Sequence, residues 1–383
     1  MENIEAIFDA ALRDEYSEWH SIDWKAVQTF VGKAQAKIAQ AELEKDFRRV
    51  KRLQRNLIRS WQAKALAVRK VTENQGKRTS GVDRELWDTP SKKWEAVSRL
   101  TLHGYRAKPL RRVWISKSDG RKRPLGIPTM RDRAMQALFL LAMEPASECH
   151  ADPNSYGFRK GRSTHDARSQ LFVSLSKQVS AQWVLDADIV GFFDNINHDW
   201  LLANVRMNKR VLGQWLRCGV VDKQQLQKTE AGTPQGGIIS PLLANLTLDG
   251  LETGLMRFVK DQLGFEKAKK AKVHLVRYAD DFVVTGDSEE VLQTVVRPWV
   301  ETFLRERGLQ LHTGKTRIVH IDEGFDFLGW NFRKYSEKLL IKPSRKNVQA
   351  FYGKVSEVIA SHLSRPKVEL IQKLNPILKG WAM

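Results

Sequence analysis

The sequence predicts an α+β fold in which an antiparallel sheet is backed by helices and preceded by a helical, basic N-terminal region. Three observations lead there. Apolar residues recur at helical spacing through residues 24 to 71, and hairpin signals sit at Asp119-Gly120 and around Ala279-Asp280-Asp281. From residue 183 onward the chain reads strand, helix, loop, helix, hairpin, helix and strand.

The 383 residues leave room for two or three subdomains and a sizeable core. A formal charge of +20 selects a polyanionic partner, which we take to be nucleic acid, because a protein this basic otherwise bears its own self-repulsion. No apolar run approaches the roughly 18 residues needed to span a bilayer, so no membrane partner is expected. The opening Met-Glu-Asn-Ile-Glu has neither a positive leader nor an apolar core, so no secretion signal is expected. Cys149 and Cys218 form no C-x-x-C pair, which argues against a zinc site and for a reducing cytoplasm.

Taken in order, Val27, Phe30, Val31, Ala34, Ile38 and Ala41 predict a helix over 24–41 with one buried stripe. A second helix is predicted over 46–71, with Val50, Leu53, Leu57 and Trp61 on one face. Arg48, Arg52, Arg55 and Arg59 then fall on the opposite face at about 100° per residue. Four arginines down one face form a ladder for RNA phosphates; the plainer alternative is a solvated face. Residues 72–83 read as a loop and 91–102 as a short helix. Two strands then flank Asp119-Gly120, with Lys117, Arg121, Lys122 and Arg123 at the tip. A helix follows over 131–148. In the glycine-broken loop 155–162, Arg159, Lys160 and Arg162 either cradle phosphates or are surface turn residues.

The run Gln182-Trp-Val-Leu-Asp-Ala-Asp188 would be a core strand but for Asp186 and Asp188, which alternation puts on one face. Short helices are predicted over 198–206 and 208–217. Gly232-Thr-Pro-Gln-Gly-Gly237 reads as a loop opening a helix over 238–255. Next, Val276, Tyr278, Phe282, Val283 and Val284 flank Ala279-Asp280-Asp281 and predict a tight hairpin with two carboxylates at its turn. Two acidic strands imply a cation. A helix over 288–307 is predicted to bury Val291, Val295, Trp299 and Phe303, and further helices begin near 344 and 368.

Tyr278-Ala-Asp-Asp281 together with Asp188-Ile-Val-Gly-Phe-Phe193 resembles the pair of metal-binding motifs of reverse transcriptases. Arg123-Pro-Leu-Gly-Ile-Pro128, Ser155-Tyr-Gly-Phe-Arg-Lys-Gly-Arg-Ser163 and Gly232-Thr-Pro-Gln-Gly-Gly-Ile-Ile-Ser-Pro-Leu-Leu-Ala-Asn245 narrow the resemblance to the branch encoded by bacterial group II introns. The stretch from Ala65 to Asp83 resembles that branch's N-terminal extension, and the match runs from about residue 20 to the end.

The resemblance implies a right-hand polymerase architecture. Its parts are a basic extension over 1–75, fingers over 76–182, a palm over 183–335 and an incomplete thumb over 336–383. It implies catalytic, metal-binding roles for Asp188, Asp280 and Asp281, with two Mg²⁺ (or Mn²⁺) ions. Asp280 is the stronger ligand of the adjacent pair, and Asp186 is expected in a supporting role. Lys117, Arg123, Gln235 and Lys315 match family residues that contact the incoming nucleotide or lie near the leaving pyrophosphate. Phe193 matches the aromatic beneath the sugar, with Phe192 as its rival. Phe327-Leu-Gly-Trp330 resembles the primer grip, or is simply an apolar turn. The implied partners are template or intron RNA, a DNA or RNA primer and deoxynucleotides, with a homodimer left open and the bacterial cytoplasm as setting. Two other readings stand beside the polymerase: a maturase that binds RNA without polymerising, and a related enzyme of host defence.

Overall fold

The computed structural model describes residues 18–116, 120, 122–234 and 236–382; Lys117 and Gln235 lie outside the described residues. The chain divides into two compact units, each assembled from separate stretches of sequence. The first takes described residues of Met1–Lys160, Ile189–Gly254 and Val300–Leu311, and the second takes Gly161–Asp188, Leu255–Trp299 and His312–Met383.

In the first unit, helices Trp24–Leu43, Phe47–Arg59 and Trp61–Glu73 pack with helix Met130–Glu148. Each start is capped by a short polar side chain: Asp23 accepts from the Ala26 N–H at 2.9 Å, and Asp46 from the Arg49 N–H at 3.0 Å. Helix Met130–Glu148 carries buried Met135, Leu138, Phe139 and Ala142, which makes it the helix the others cover. Burial of each large side chain there contributes about 1.5–3 kcal/mol. Beside it, strand Leu110–Ser116 pairs antiparallel with Lys122–Ile127 and parallel with Val220–Asp222, which turns back into Gln225–Gln227.

Two of the expected long helices are broken. The 46–71 helix is two helices, because Ser60 takes an extended backbone (ψ 140°) and its hydroxyl caps the second by accepting from the Ala63 N–H. Trp61 consequently leaves the buried stripe and is 40% exposed. The 238–255 helix ends at Leu248 and restarts at Leu251. Gly250 turns the chain at φ +91°, and the buried Asp152 carboxylate accepts from the N–H groups of Gly250, Glu252 and Thr253, capping the new helix.

The second unit holds a four-stranded antiparallel sheet in the order His274–Tyr278, Asp281–Gly286, Trp183–Ala187, Arg317–His320. Helix Thr164–Leu175, started by a capping box between Ser163 and Asp166, packs against its edge strand His274–Tyr278. A second sheet follows: Phe325–Phe327, Trp330–Tyr335 and Lys338–Pro343. Helices Arg345–Ala360 and Lys367–Ala382 pack together through stacked Phe351 and Trp381, ring centroids 4.3 Å apart.

The expected stripe of the 288–307 helix is displaced by one residue. Leu292, Val296, Val300 and Leu304 are fully buried in place of Val291, Val295 and Trp299, while Phe303 is buried as expected. The helix carries a π turn over Leu292–Val296, with Arg297 N–H donating to the Leu292 carbonyl just before Pro298, which has no N–H to offer a normal helical ladder. Among the described residues no helix is long and apolar enough to cross a membrane.

Candidate active site

Strand Trp183–Ala187 is central in its sheet and its Val184 and Leu185 are fully buried, so its C-terminal end is rigidly held. Ala187 pairs with Phe282, and the same register carries Asp188, one residue on, beside Asp281 at the mouth of the hairpin. The Asp188 backbone is fixed in turn, its carbonyl accepting from the His312 N–H at 2.7 Å.

The hairpin is tighter than its sequence suggests. Tyr278 pairs with Asp281, leaving Ala279 and Asp280 as a two-residue turn. Ala279 adopts φ +58°, a left-handed conformation that is strained for a residue with a side chain. Support comes from Arg277, which is wholly buried and donates from Nη1 to the Ala279 carbonyl at 3.3 Å. Arg277 was not singled out from the sequence; a charged residue within an apolar strand, two positions before the turn, is the signal that marks it.

The acids repel one another. Desolvation by the surrounding protein, followed by the charges of Asp280, Asp188 and Asp186, pushes Asp281 up to about 6, with Lys315 acting in the opposite direction. The Asp281 side chain still faces solvent along one side, so the carboxylate is reachable by ions. Lys315 Nζ forms an ion pair with Asp188 Oδ2. Asp186 is paired across the strands with Arg317, Nε to Oδ2 3.3 Å; burial raises its pKa and Arg317 opposes the rise.

Hard carboxylate oxygens that repel one another at adjoining strand ends are the donor set a divalent cation requires. Among the described residues, however, no three His, Cys, Asp or Glu side chains close into a metal-holding group. The Lys315 ammonium provides the counter-charge at Asp188 instead. The donors fit a metal that completes its coordination with water and substrate oxygens.

Of the other expected site residues, Arg162 lies in the second unit, and Arg48, Arg52, Arg55, Arg59, Arg123, Arg159, Lys160 and Phe193 lie in the first. Phe192 is buried at 3% exposure, whereas Phe193 is half-buried with its ring edge-on to Phe192 and Phe158 at 5.3 and 6.1 Å. Phe193 is therefore the ring that a ligand can meet. Its carbonyl accepts from the Thr233 N–H at 2.7 Å, and a Cβ on Gly232 would lie 2.6 Å from that carbonyl oxygen, so this close approach demands glycine. Arg123 is exposed on its strand opposite Ile115. Arg48, Arg52, Arg55 and Arg59 are all exposed.

Arg159 is a correction. Its side chain is 1% exposed and bound to Glu148 at 2.6 Å and Asp249 at 2.5 Å, with Nε donating to Ser155. A guanidinium spent on two carboxylates inside the fold does not contact RNA phosphate. Lys160 remains exposed while paired with Glu144.

Residues 115–332 match the profile of "Reverse transcriptase (RNA-dependent DNA polymerase)", a span that contains the whole acid cluster, and residues 19–100 match the "N-terminal domain of reverse transcriptase". The chain belongs to the reverse transcriptase family, in its group II intron type. It is 31% identical to Protein YkfC of Escherichia coli K12, over 85% of this chain and 93% of that protein. It is 26% identical to group II intron-encoded protein LtrA of Lactococcus lactis, over 77% of this chain and 59% of LtrA. Maturase-like protein 1 of Euglena gracilis is 25% identical over 96% of this chain and 77% of its own length. The chain thus spans most of YkfC and about three-fifths of LtrA.

Proposed function

We propose that this protein is an RNA-directed DNA polymerase of the group II intron type, which extends a primer 3′-hydroxyl with deoxynucleotides on an RNA template and also binds intron RNA. The observation that carries the reading is the convergence of Asp188 and the Asp280-Asp281 turn at adjacent strand ends, with Lys315 paired to Asp188. In this reading the palm runs over 183–335 between fingers at 76–182 and the start of a thumb at 336–383, with the basic extension over 1–75.

Asp188, Asp280 and Asp281 would hold two Mg²⁺ ions, or Mn²⁺ in their place. Bound there, such ions lower the pKa of the primer hydroxyl and neutralise charge on the departing pyrophosphate. Lys315 Nζ, held beside the acids by its ion pair with Asp188, would stabilise or protonate the leaving pyrophosphate oxygen. The Phe193 ring excludes a sugar bearing a 2′-hydroxyl. Arg123, with Lys117 and Gln235, is assigned to the incoming nucleotide on its motif. Arg48, Arg52, Arg55, Arg59, Lys160 and Arg162 are assigned to RNA phosphate.

The deciding experiment is deoxynucleotide incorporation on a primed RNA template with Mg²⁺, comparing the chain with Asp280→Ala and recording product length. Incorporation abolished in the variant, with RNA binding intact, is expected. Extension by Asp280→Ala would overturn the site. Absence of extension by either, with tight RNA binding, would favour a maturase that acts on RNA structure alone, the reading that the kinship with maturase-like protein 1 keeps in play.

A further inference from the structure

Two clefts of the first unit share a wall of cations. The larger, about 870 Å³, is lined by helix Phe47–Arg59 and by residues from 203–210. The second, about 840 Å³, adjoins it through Lys209 and Arg210, which line both. Lys51, Arg55 and Arg59 border the first, and Arg106 and Arg217 the second. Among the described residues that line either cleft the one acid is Glu42, which is buried at 2% exposure. Its Oε1 accepts from Arg206 Nη1 at 2.8 Å and lies 2.6 Å from His150 Nε2. Cations gathered around an acid that is already paired suit a polyanion.

The Arg206 guanidinium lies over the Phe47 ring in the larger cleft, its carbon 4.2 Å from the ring centroid. Glu42, anchored in the interior, holds that guanidinium in place. Phe47 nevertheless remains 46% exposed and the Arg206 side chain 62% exposed. The pairing decides what the arginine can offer. A carboxylate ligand would have to compete with Glu42 for the charge, whereas a nucleobase uses the planes of the guanidinium and the ring and leaves the ion pair intact. Val50, Ile58 and Met143 supply apolar lining beside this pair, against which a base sheds water.

We propose that Phe47 and Arg206 form a stacking platform for an unpaired base of the bound RNA. Lys51, Arg55 and Arg59 on one side, and Arg210 and Arg217 on the other, hold the phosphates that flank it. Inside a duplex both faces of a base are covered by its neighbours, so the fitting partner is a single-stranded loop or bulge. The proposal rests on the RNA binding assigned above to helix Phe47–Arg59. It adds to that reading a preference for unpaired RNA and two residues, Phe47 and Arg206, that carry it.

A short oligouridylate containing one 4-thiouridine, irradiated with the full chain and mapped by mass spectrometry, should cross-link within Phe47–Arg59 or 203–210. Arg206→Lys keeps the charge and removes the plane, while Phe47→Leu keeps apolar bulk and removes the ring. Each should weaken oligouridylate binding about fivefold or more, the lower end of what a lost base stack costs. The log–log salt slope should stay as in the parent, since no phosphate contact is lost, and affinity for a blunt RNA duplex should not change. Unchanged oligouridylate affinity in both variants, an equal loss for duplex, or cross-links confined to other peptides would overturn the platform while leaving RNA binding itself standing. Failure of the parent chain to bind either RNA would remove the RNA reading as well. Protection of the cleft peptides by polyglutamate, where oligouridylate gives no cross-link, would assign the clefts to an acidic protein instead.

Discussion

Lys315 and Asp188 are ion-paired within the acid cluster, although 127 positions separate them in the chain. The strand Arg317–His320 places them together: it pairs with Trp183–Ala187 and so returns the residues before it to the end of that strand. The ammonium thereby offsets one of the carboxylates whose charges, with those of Asp280 and Asp186, oppose ionisation of Asp281.

Lys315→Gln leaves a polar side chain, one bond shorter, without the charge or transferable proton of the ammonium. It should lower kcat for deoxynucleotide addition by about 10²-fold, the lower end of what a positioned acid contributes, and leave primer-template affinity nearly unchanged. Single-turnover extension measures it. An unaltered kcat would confine Lys315 to charge compensation.

The Asp281 carboxyl makes metal-free stability pH-dependent. Its folded pKa of about 6 lies above the ordinary value of 3.8, so its contribution to stability is present below about 4 and is lost as pH rises through 6. Thermal melting in chelator from pH 4.5 to 7.5 should show a fall that Asp281→Asn flattens, and added Mg²⁺ should recover Tm at pH 7.5. A variant with the same pH slope as the parent would refute the assignment of that strain to Asp281.

The two adjacent phenylalanines should separate cleanly. Phe192→Ala removes a buried ring and is expected to cost about 3–5 kcal/mol of stability, read by urea unfolding. Phe193→Val should instead leave stability nearly intact and raise ribonucleotide incorporation relative to deoxynucleotide. Reversed effects would exchange their roles.

Arg159→Ala removes a buried guanidinium from its pairs with Asp249 and the more exposed Glu148, which should cost about 3 kcal/mol, the lower end for a buried pair that loses one partner. Its effect on the salt dependence of RNA binding should be nil. Arg52→Glu with Arg55→Glu should do the opposite, weakening binding and reducing the magnitude of the log–log salt slope by roughly 0.7 per lost contact. A salt slope unchanged by the double substitution would return those arginines to a merely solvated face.

Parts of both units were legible because their signals are local. Asp23 and Asp46 cap helices whose apolar periodicity is visible in the chain, and the β-branched and aromatic residues around Ala279-Asp280-Asp281 announce the hairpin. The breaks were less legible: Ser60 ends one helix by capping the next, and the cap for the helix at Leu251 comes from Asp152, about a hundred residues away.

By itself the sequence determined the polyanionic partner class, the acidic ends of two strands and the order of motifs that marks the family. Tertiary structure decided which charges are available. Arg159 and Arg162 read alike in a basic loop, but packing delivers Glu148 and Asp249 to Arg159 and removes it from any surface role. Phe192 and Phe193 read alike too, until the fold buries one ring and leaves the other open. The physical reason is common to both cases: composition and spacing specify what a side chain can do, whereas burial and partners brought from distant sequence specify what it is free to do.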